Sequence, residues 1–179
     1  MRNFARYKMI MSERTAAMKY PEKVKSLYES AFPPEERRPW PEFVRLAETE
    51  EMFEVREVED PVSGDFVGFV TVWNMPEGFA YVEHFAVMPD FRGYGTGGRI
   101  IDSVQSPTVL EVELPDSDDA CRRIEFYRRH GFEVAEEMEY VQPSYAPGLP
   151  EVRMLLMCRG CVDVNKAARR LHETVYGVR

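Results

Sequence analysis

Cysteine is scarce: Cys121, Cys158 and Cys161 are the only three in 179 residues. That is too few for a disulfide framework. Cys158-Arg159-Gly160-Cys161 is a lone CxxC. A zinc site needs two further ligands, and the nearest histidine downstream is His172, so the pair reads as small apolar residues closing a strand and no metal is expected. No apolar run approaches the ~18 residues of a membrane-spanning helix. Met1 to Ser12 carries Arg2, Arg6 and Lys8 but lacks the apolar stretch of a secretory leader. These absences favour a reducing cytoplasm and no membrane partner. Positive charge is short as well. Lysine and arginine total 23 against 31 aspartates and glutamates, a net charge of −8 that repels phosphate backbones and argues against a nucleic-acid partner. Repeats and low-complexity segments are absent.

What remains is an ordinary globular chain, long enough for one hydrophobic core, and a single domain over 1–179 is expected. Val24, Leu27, Tyr28 and Ala31 lie at helical spacing behind Pro21, and Pro33-Pro34 stops that helix. A second short helix after Pro41 carries Phe43, Val44, Leu46 and Ala47 on one face. The period then changes. Strands are expected at Met52–Val58, Phe66–Trp73 and Tyr81–Met88, separated by turns at 61–65 and 75–78. A helix from Gly97 to Val104, a strand at Val109–Leu114 and a helix from Ala120 to His130, capped by 116–119 and closed by Gly131, come next. Phe132–Val141 and Val152–Met157 read as strands, and 162–176 as an amphipathic helix. The expected package is an α/β (α+β) fold: a central mixed, mostly antiparallel sheet with helices on both faces. Hairpins set the early pairing, and the two later strand-helix-strand units suggest parallel pairing.

Chemistry concentrates in the loop Arg92-Gly93-Tyr94-Gly95-Thr96-Gly97-Gly98-Arg99, between a strand and a helix. The first turn of a helix has free N–H groups and a partial positive charge that capture phosphate, and glycines let the backbone approach it. Three motifs compete. A P-loop would need Lys and Ser/Thr where Arg99 and Ile100 stand. A GxGxxG dinucleotide fingerprint is present at Gly93, Gly95 and Gly98, with Glu113 near the place of a ribose-binding acid. Against it, Pro89-Asp90-Phe91-Arg92 separates loop from strand, and hairpin strands precede it. The third motif is Arg-x-x-Gly-x-Gly, at Arg92, Gly95 and Gly97.

With the preceding Ala86-Val87-Met88-Pro89, that third motif resembles the coenzyme A loop of the GNAT superfamily of N-acetyltransferases. Phe126-Tyr127-Arg128-Arg129-His130-Gly131-Phe132 is similar to the family's second motif, Phe-Tyr-x-x-x-Gly-Phe. The two stand in order, one strand apart, and the likeness covers roughly residues 66–157. Ala120 stands where many members carry an asparagine.

The resemblance implies transfer of an acetyl group from acetyl-coenzyme A to a primary amine, by direct attack in a ternary complex. It assigns the cofactor to the loop, Arg92 to Gly98, and to the backbone of Phe85, Ala86 and Val87. Tyr127 would touch the cofactor and give a proton to the departing sulfur. Glu83 is the expected base, with His84 the alternative, since alternation along a strand sends neighbours to opposite faces unless a bulge intervenes. Glu111 and Glu113 share a face of the next strand and, with Glu83, suit a small cationic amine. Tyr140, Gln142, Pro143 and Tyr145, and the stretch Phe32–Trp40, border the acceptor site in that fold. Two rivals stay open: an inactive acyl-coenzyme A sensor and an NAD(P)-dependent oxidoreductase. The acceptor can be a small molecule or a peptide, and the resemblance allows a homodimer.

Overall fold

The computed structural model describes residues 10–11, 17–135 and 138–178. Most of Met1 to Ser12, which bears the leader reading, lies outside the described residues, as do 136 and 137. The elements run β1 (Ile10–Met11), α1 (Pro21–Ala31), α2 (Trp40–Thr49), β2 (Phe53–Glu59), β3 (Phe66–Met75), β4 (Phe79–Val87), α3 (Thr96–Ser103), β5 (Thr108–Glu113), α4 (Asp118–Arg129), β6 (Glu133–Val134), β7 (Tyr140–Gln142), β8 (Val152–Arg159) and α5 (Val164–Thr174). Short 3-10 turns occupy Pro34–Glu36 and Pro89–Phe91.

The helices start and stop for local reasons. Proline opens α1 and α2, and the chain leaves α1 at Phe32, whose extended backbone suits the proline that follows. Ser117 caps α4, its Oγ accepting the Ala120 N–H at 3.1 Å, so the helix starts at Asp118, slightly before the expected Ala120. Asp118 and Asp119 in the first turn and Arg128 and Arg129 in the last complement the helix dipole.

The strands form one sheet in the order β1-β2-β3-β4-β5-β8-β6, with β7 also on β8. Among the described residues every pairing is antiparallel except β4 with β5. The first crossover, through α3, gives that parallel pair. The second, through α4, does not give another: β8 inserts between β5 and β6 and runs against both. The strand expected over 132–141 is two short strands, β6 on the Met157–Cys158 end of β8 and β7 on its Val152–Met154 end.

Alternation sends side chains into two cores. Phe69, Trp73, Tyr81, Val109 and Leu156 meet Tyr28, Phe43 and Leu171 on the side of α1, α2 and α5. Val70, Val72, Val82, Leu110 and Met157 meet Ile100, Ile101, Ile124 and Tyr127 on the side of α3 and α4. One irregularity matters for the site. Thr71 pairs with His84 but Val72 with Val82, so Glu83 is the extra residue of a β-bulge. Among the described residues no helix is long and apolar enough to cross a membrane, and no group of His, Cys, Asp and Glu could hold a metal ion.

Candidate active site

β4 and β5 share only three rungs, ending at Val82 opposite Leu110. Past that point β5 continues with β8 through Glu113, while β4 continues with β3 through Val87. The sheet therefore forks. A cleft of about 940 Å³ opens at the fork, lined by Val82 to Val87 on one arm and Leu110 to Glu113 on the other, His84 excepted. Met88 N–H donates to Val67 O, and backbone groups alternate in direction along a strand. The N–H groups of Phe85 and Val87 therefore point into the fork, and that of Ala86 points to β3. Ala86 lines the cleft, yet the two strand amides available to a ligand are its neighbours'.

At one end of the cleft lies the glycine loop. Gly93 and Gly95 adopt φ of 79° and 75°, a region L side chains avoid. Gly95 caps α3, and Arg99 N–H to Gly95 O is the first bond of the helix, so the amides of Thr96, Gly97 and Gly98 lie ahead of the hydrogen-bonded ladder. Gly97 and Gly98 also permit close packing. A Cβ on Gly98 would stand 2.6 Å from His130 Cε1, and one on Gly97 3.3 Å from the Phe85 ring. Arg92 Nε donates to Val87 O at 2.8 Å, holding that guanidinium beside the loop. Arg122, Arg129 and His130 line the same cleft. Tyr94, 54% exposed, is not part of the lining. Ala120 is buried, and its methyl side chain supplies no polar contact. Amides at a helix start, positive-φ glycines and guanidinium groups fit a diphosphate.

Tyr127, on α4, also lines the cleft, near Arg123 and Glu113, and no hydrogen bond among the described residues engages its hydroxyl. Burial pushes that hydroxyl up to about 12 against the pull of Arg123, so it holds its proton at neutral pH.

The other end is acidic. Glu36, Glu83, Glu111 and Glu113 all line it. The bulge turns Glu83 and His84 to the same side of the sheet, toward α1, which corrects the expectation of opposite faces. Glu83 Oε1 accepts from Arg38 Nε at 3.0 Å and from Tyr145 Oη at 3.0 Å, and Oε2 from Trp73 Nε1 at 2.8 Å. The Glu83 side chain is fully buried and the Arg38 side chain 7% exposed. Burial alone would raise the Glu83 carboxyl, but the charge of Arg38, with hydrogen bonds from Trp73 and Arg38, holds it below the usual carboxylate range. A carboxylate so enclosed is a poor base. His84 is buried behind it, edge-on to Tyr28 and Phe32, with Nε2 donating to Glu36 O at 3.1 Å. Burial pushes it down to about 4, so it is neutral and its 3.9 Å approach to Glu83 is no ion pair. It does not line the cleft.

Glu113 pairs with Arg123. Glu111 and Glu36 form no salt bridge among the described residues, although the charge of Arg123 acts on Glu36. Burial raises each to about 7, helped at Glu36 by the charge of Glu113. Glu111 accepts from the hydroxyls of Tyr140 and Tyr176. Tyr145 lines the cleft, while Tyr140 stands behind Glu111. The 34–40 stretch is an anchored wall: His84 holds Glu36 O, Gln142 holds Glu35 O, and Arg38 Nη2 donates to Val175 O at 2.7 Å. Arg38 lies in a stretch the sequence singles out. Tyr176 and Trp73 carry no local signal for a site.

The 3-10 turn Pro89–Phe91 separates β4 from the loop, and β4 itself closes an antiparallel hairpin with β3, so the tight strand-to-helix turn of a dinucleotide fingerprint is absent even though β4, α3 and β5 form a parallel crossover. A model of the acetyltransferase (GNAT) domain matches residues 49–134. A solved structure from Bacteroides thetaiotaomicron, assigned to the GNAT family, is 36% identical, covers 90% of this chain and 94% of its own, and superposes with a TM-score of 0.82. The acetyltransferase-like protein YjbC of Bacillus subtilis is 36% identical over 75 residues, 39% of each chain. The fold is shared with a GNAT family acetyltransferase from Elizabethkingia anophelis solved with acetyl-coenzyme A bound, at 13% identity, a TM-score of 0.55, and coverage of 86% and 98%. This chain belongs to the GNAT family of acetyltransferases, enzymes that use acetyl-coenzyme A.

Proposed function

We propose that the protein is an N-acetyltransferase that acetylates a small cationic amine by direct attack in a ternary complex. One observation carries this reading: the forked sheet joins an end suited to phosphate, built from the α3 amides and arginines, to a carboxylate-lined end in one cleft that Tyr127 also lines. Bound acetyl-coenzyme A supplies an acetyl thioester. Thr96, Gly97 and Gly98 amides and Arg92 hold the diphosphate. The Phe85 and Val87 amides face the fork and stabilise the oxyanion, a contact worth about 2.7–4 kcal/mol in comparable acyl transfers. Tyr127 donates its proton to the departing sulfur. Glu83 and Arg38 hold the acceptor wall rather than handle protons.

The test is thiol release with acetyl-coenzyme A and a panel of agmatine, putrescine, spermidine and 2-phenylethylamine. Turnover with at least one amine, and a Tyr127→Phe variant slowed about 10²-fold or more, supports the reading. Acetyl-coenzyme A binding with no turnover on any amine selects the sensor instead.

A further inference from the structure

Glu111 is the first residue of β5 beyond the last rung shared with β4, so it stands at the point where the sheet opens. Its neighbours on β5, Leu110 and Val112, pack into the core under α3 and α4, so alternation turns Glu111 to the opposite, acceptor side. There it lines the cleft. Two tyrosine hydroxyls fix its carboxylate: Tyr140 donates to Oε1, and Tyr176 to Oε2 at 2.8 Å. No cation among the described residues neutralises it, whereas Glu83 and Glu113 each have an arginine.

We propose that the Glu111 carboxylate is the proton acceptor for the attacking amine. The assignment rests on the amine-acetylation reading above. The attacking ammonium first loses one proton to solvent; the freed nitrogen lone pair forms the new bond to the acetyl carbon, and Glu111 takes the second proton that nitrogen sheds. The carbon–sulfur bond breaks, sulfur leaves with the electron pair, and Tyr127 gives it a proton. The proton on Glu111 then returns to Tyr127 through solvent in the cleft, which restores both groups. The groups facing Glu111 come from every neighbouring element. They are Tyr81 and the Arg38-paired Glu83 from β4, Tyr140 from β7, Tyr145 from the β7–β8 connection, and Tyr176 after α5. Glu36 and the Glu113–Arg123 pair lie further along the cleft. The tyrosines stay protonated across the neutral range because burial raises each of them. An ionisation near pH 7 in that setting therefore belongs to a carboxyl.

The experiment compares wild type with Glu111→Gln and Glu111→Asp, using acetyl-coenzyme A and the best amine of the panel. The wild-type kcat/KM rises through an acidic limb with a midpoint near 7. Glu111→Gln loses about 10²-fold or more and loses that limb, keeping the acetyl-coenzyme A thermal shift. Glu111→Asp keeps a limb at reduced rate. A second readout needs no turnover: in the ligand-free protein labelled at glutamate carboxyl carbons, one signal titrating near 7 vanishes in Glu111→Gln. An unchanged rate in Glu111→Gln, or a slowed rate with the acidic limb intact, overturns the assignment. If wild type is active and Tyr127→Phe impaired while Glu111→Gln is unaffected, only this assignment falls. A wild type inert with every amine overturns the amine reading and this with it.

Discussion

Glu83→Gln removes the negative half of a buried ion pair. The Arg38 side chain is 7% exposed and the Glu83 side chain fully buried, so water cannot replace the lost partner. Arg38 also sits 4.9 Å from the Tyr145 ring and donates to Val175 O, which fixes it in place after the substitution. Breaking a buried pair from one side costs about 3–5 kcal/mol. Glutamine keeps one oxygen, enough for Trp73 or Tyr145 but not for both together with the guanidinium. A loss near the lower bound, about 3 kcal/mol, is expected. With a urea slope of about 2 kcal/mol/M, the midpoint falls by about 1.5 M at unchanged slope. Adding Arg38→Met removes the stranded charge, so the double variant is more stable than Glu83→Gln alone. Urea denaturation followed by tryptophan fluorescence reads both, since Trp73 Nε1 donates to Glu83. A midpoint within about 0.3 M of wild type, or single effects that simply add, would refute the idea that this pair anchors the acceptor wall.

Two further outcomes follow from local geometry. Gly98→Ala places a methyl 2.6 Å from His130 Cε1, displacing a ring held by Asp102 at 2.8 Å, and costs about 1–3 kcal/mol. His130→Ala in the same chain relieves much of that, and additive costs would contradict the close packing. Glu111 has its carboxyl raised from 4.5 to about 7, so the folded state favours its protonated form. That stability is fully present below about pH 4.5 and is lost as pH rises through 7, a swing of up to about 3 kcal/mol. Glu111→Gln, which stays neutral, therefore improves relative to wild type between pH 5 and pH 8. A stability difference that stays flat over that interval would contradict the raised carboxyl.

The parts of the site that were legible in the sequence are those set by nearby residues. The loop from Arg92 to Gly98 and the Phe126–Phe132 segment announce themselves by glycine placement and spacing, and the structure puts both on the cleft. Strands β2 to β5 were legible because aromatic and branched runs are bounded by turn residues. The rest depends on pairing between distant segments. The Glu83 bulge exists only in the register of β4 against β3, so nothing in Tyr81–Met88 alone reveals that Glu83 and His84 share a side. Glu83 looked like a free carboxylate because Arg38 is 45 positions away, and Tyr176 reaches Glu111 across 65. The division of 132–141 into β6 and β7 follows from how much of β8 each end covers, which is again a property of the partner strand.

The central claim is that the start of α3 and the forked strands hold an acyl-coenzyme A. The direct measurement is calorimetric and thermal-shift titration of the purified protein with acetyl-coenzyme A, with NADH as the control. Saturable one-site binding is predicted, with stabilisation of about 2.7 kcal/mol at a ligand concentration 100 times Kd and no response to NADH. No stabilisation by acetyl-coenzyme A, or a response to NADH instead, would contradict it.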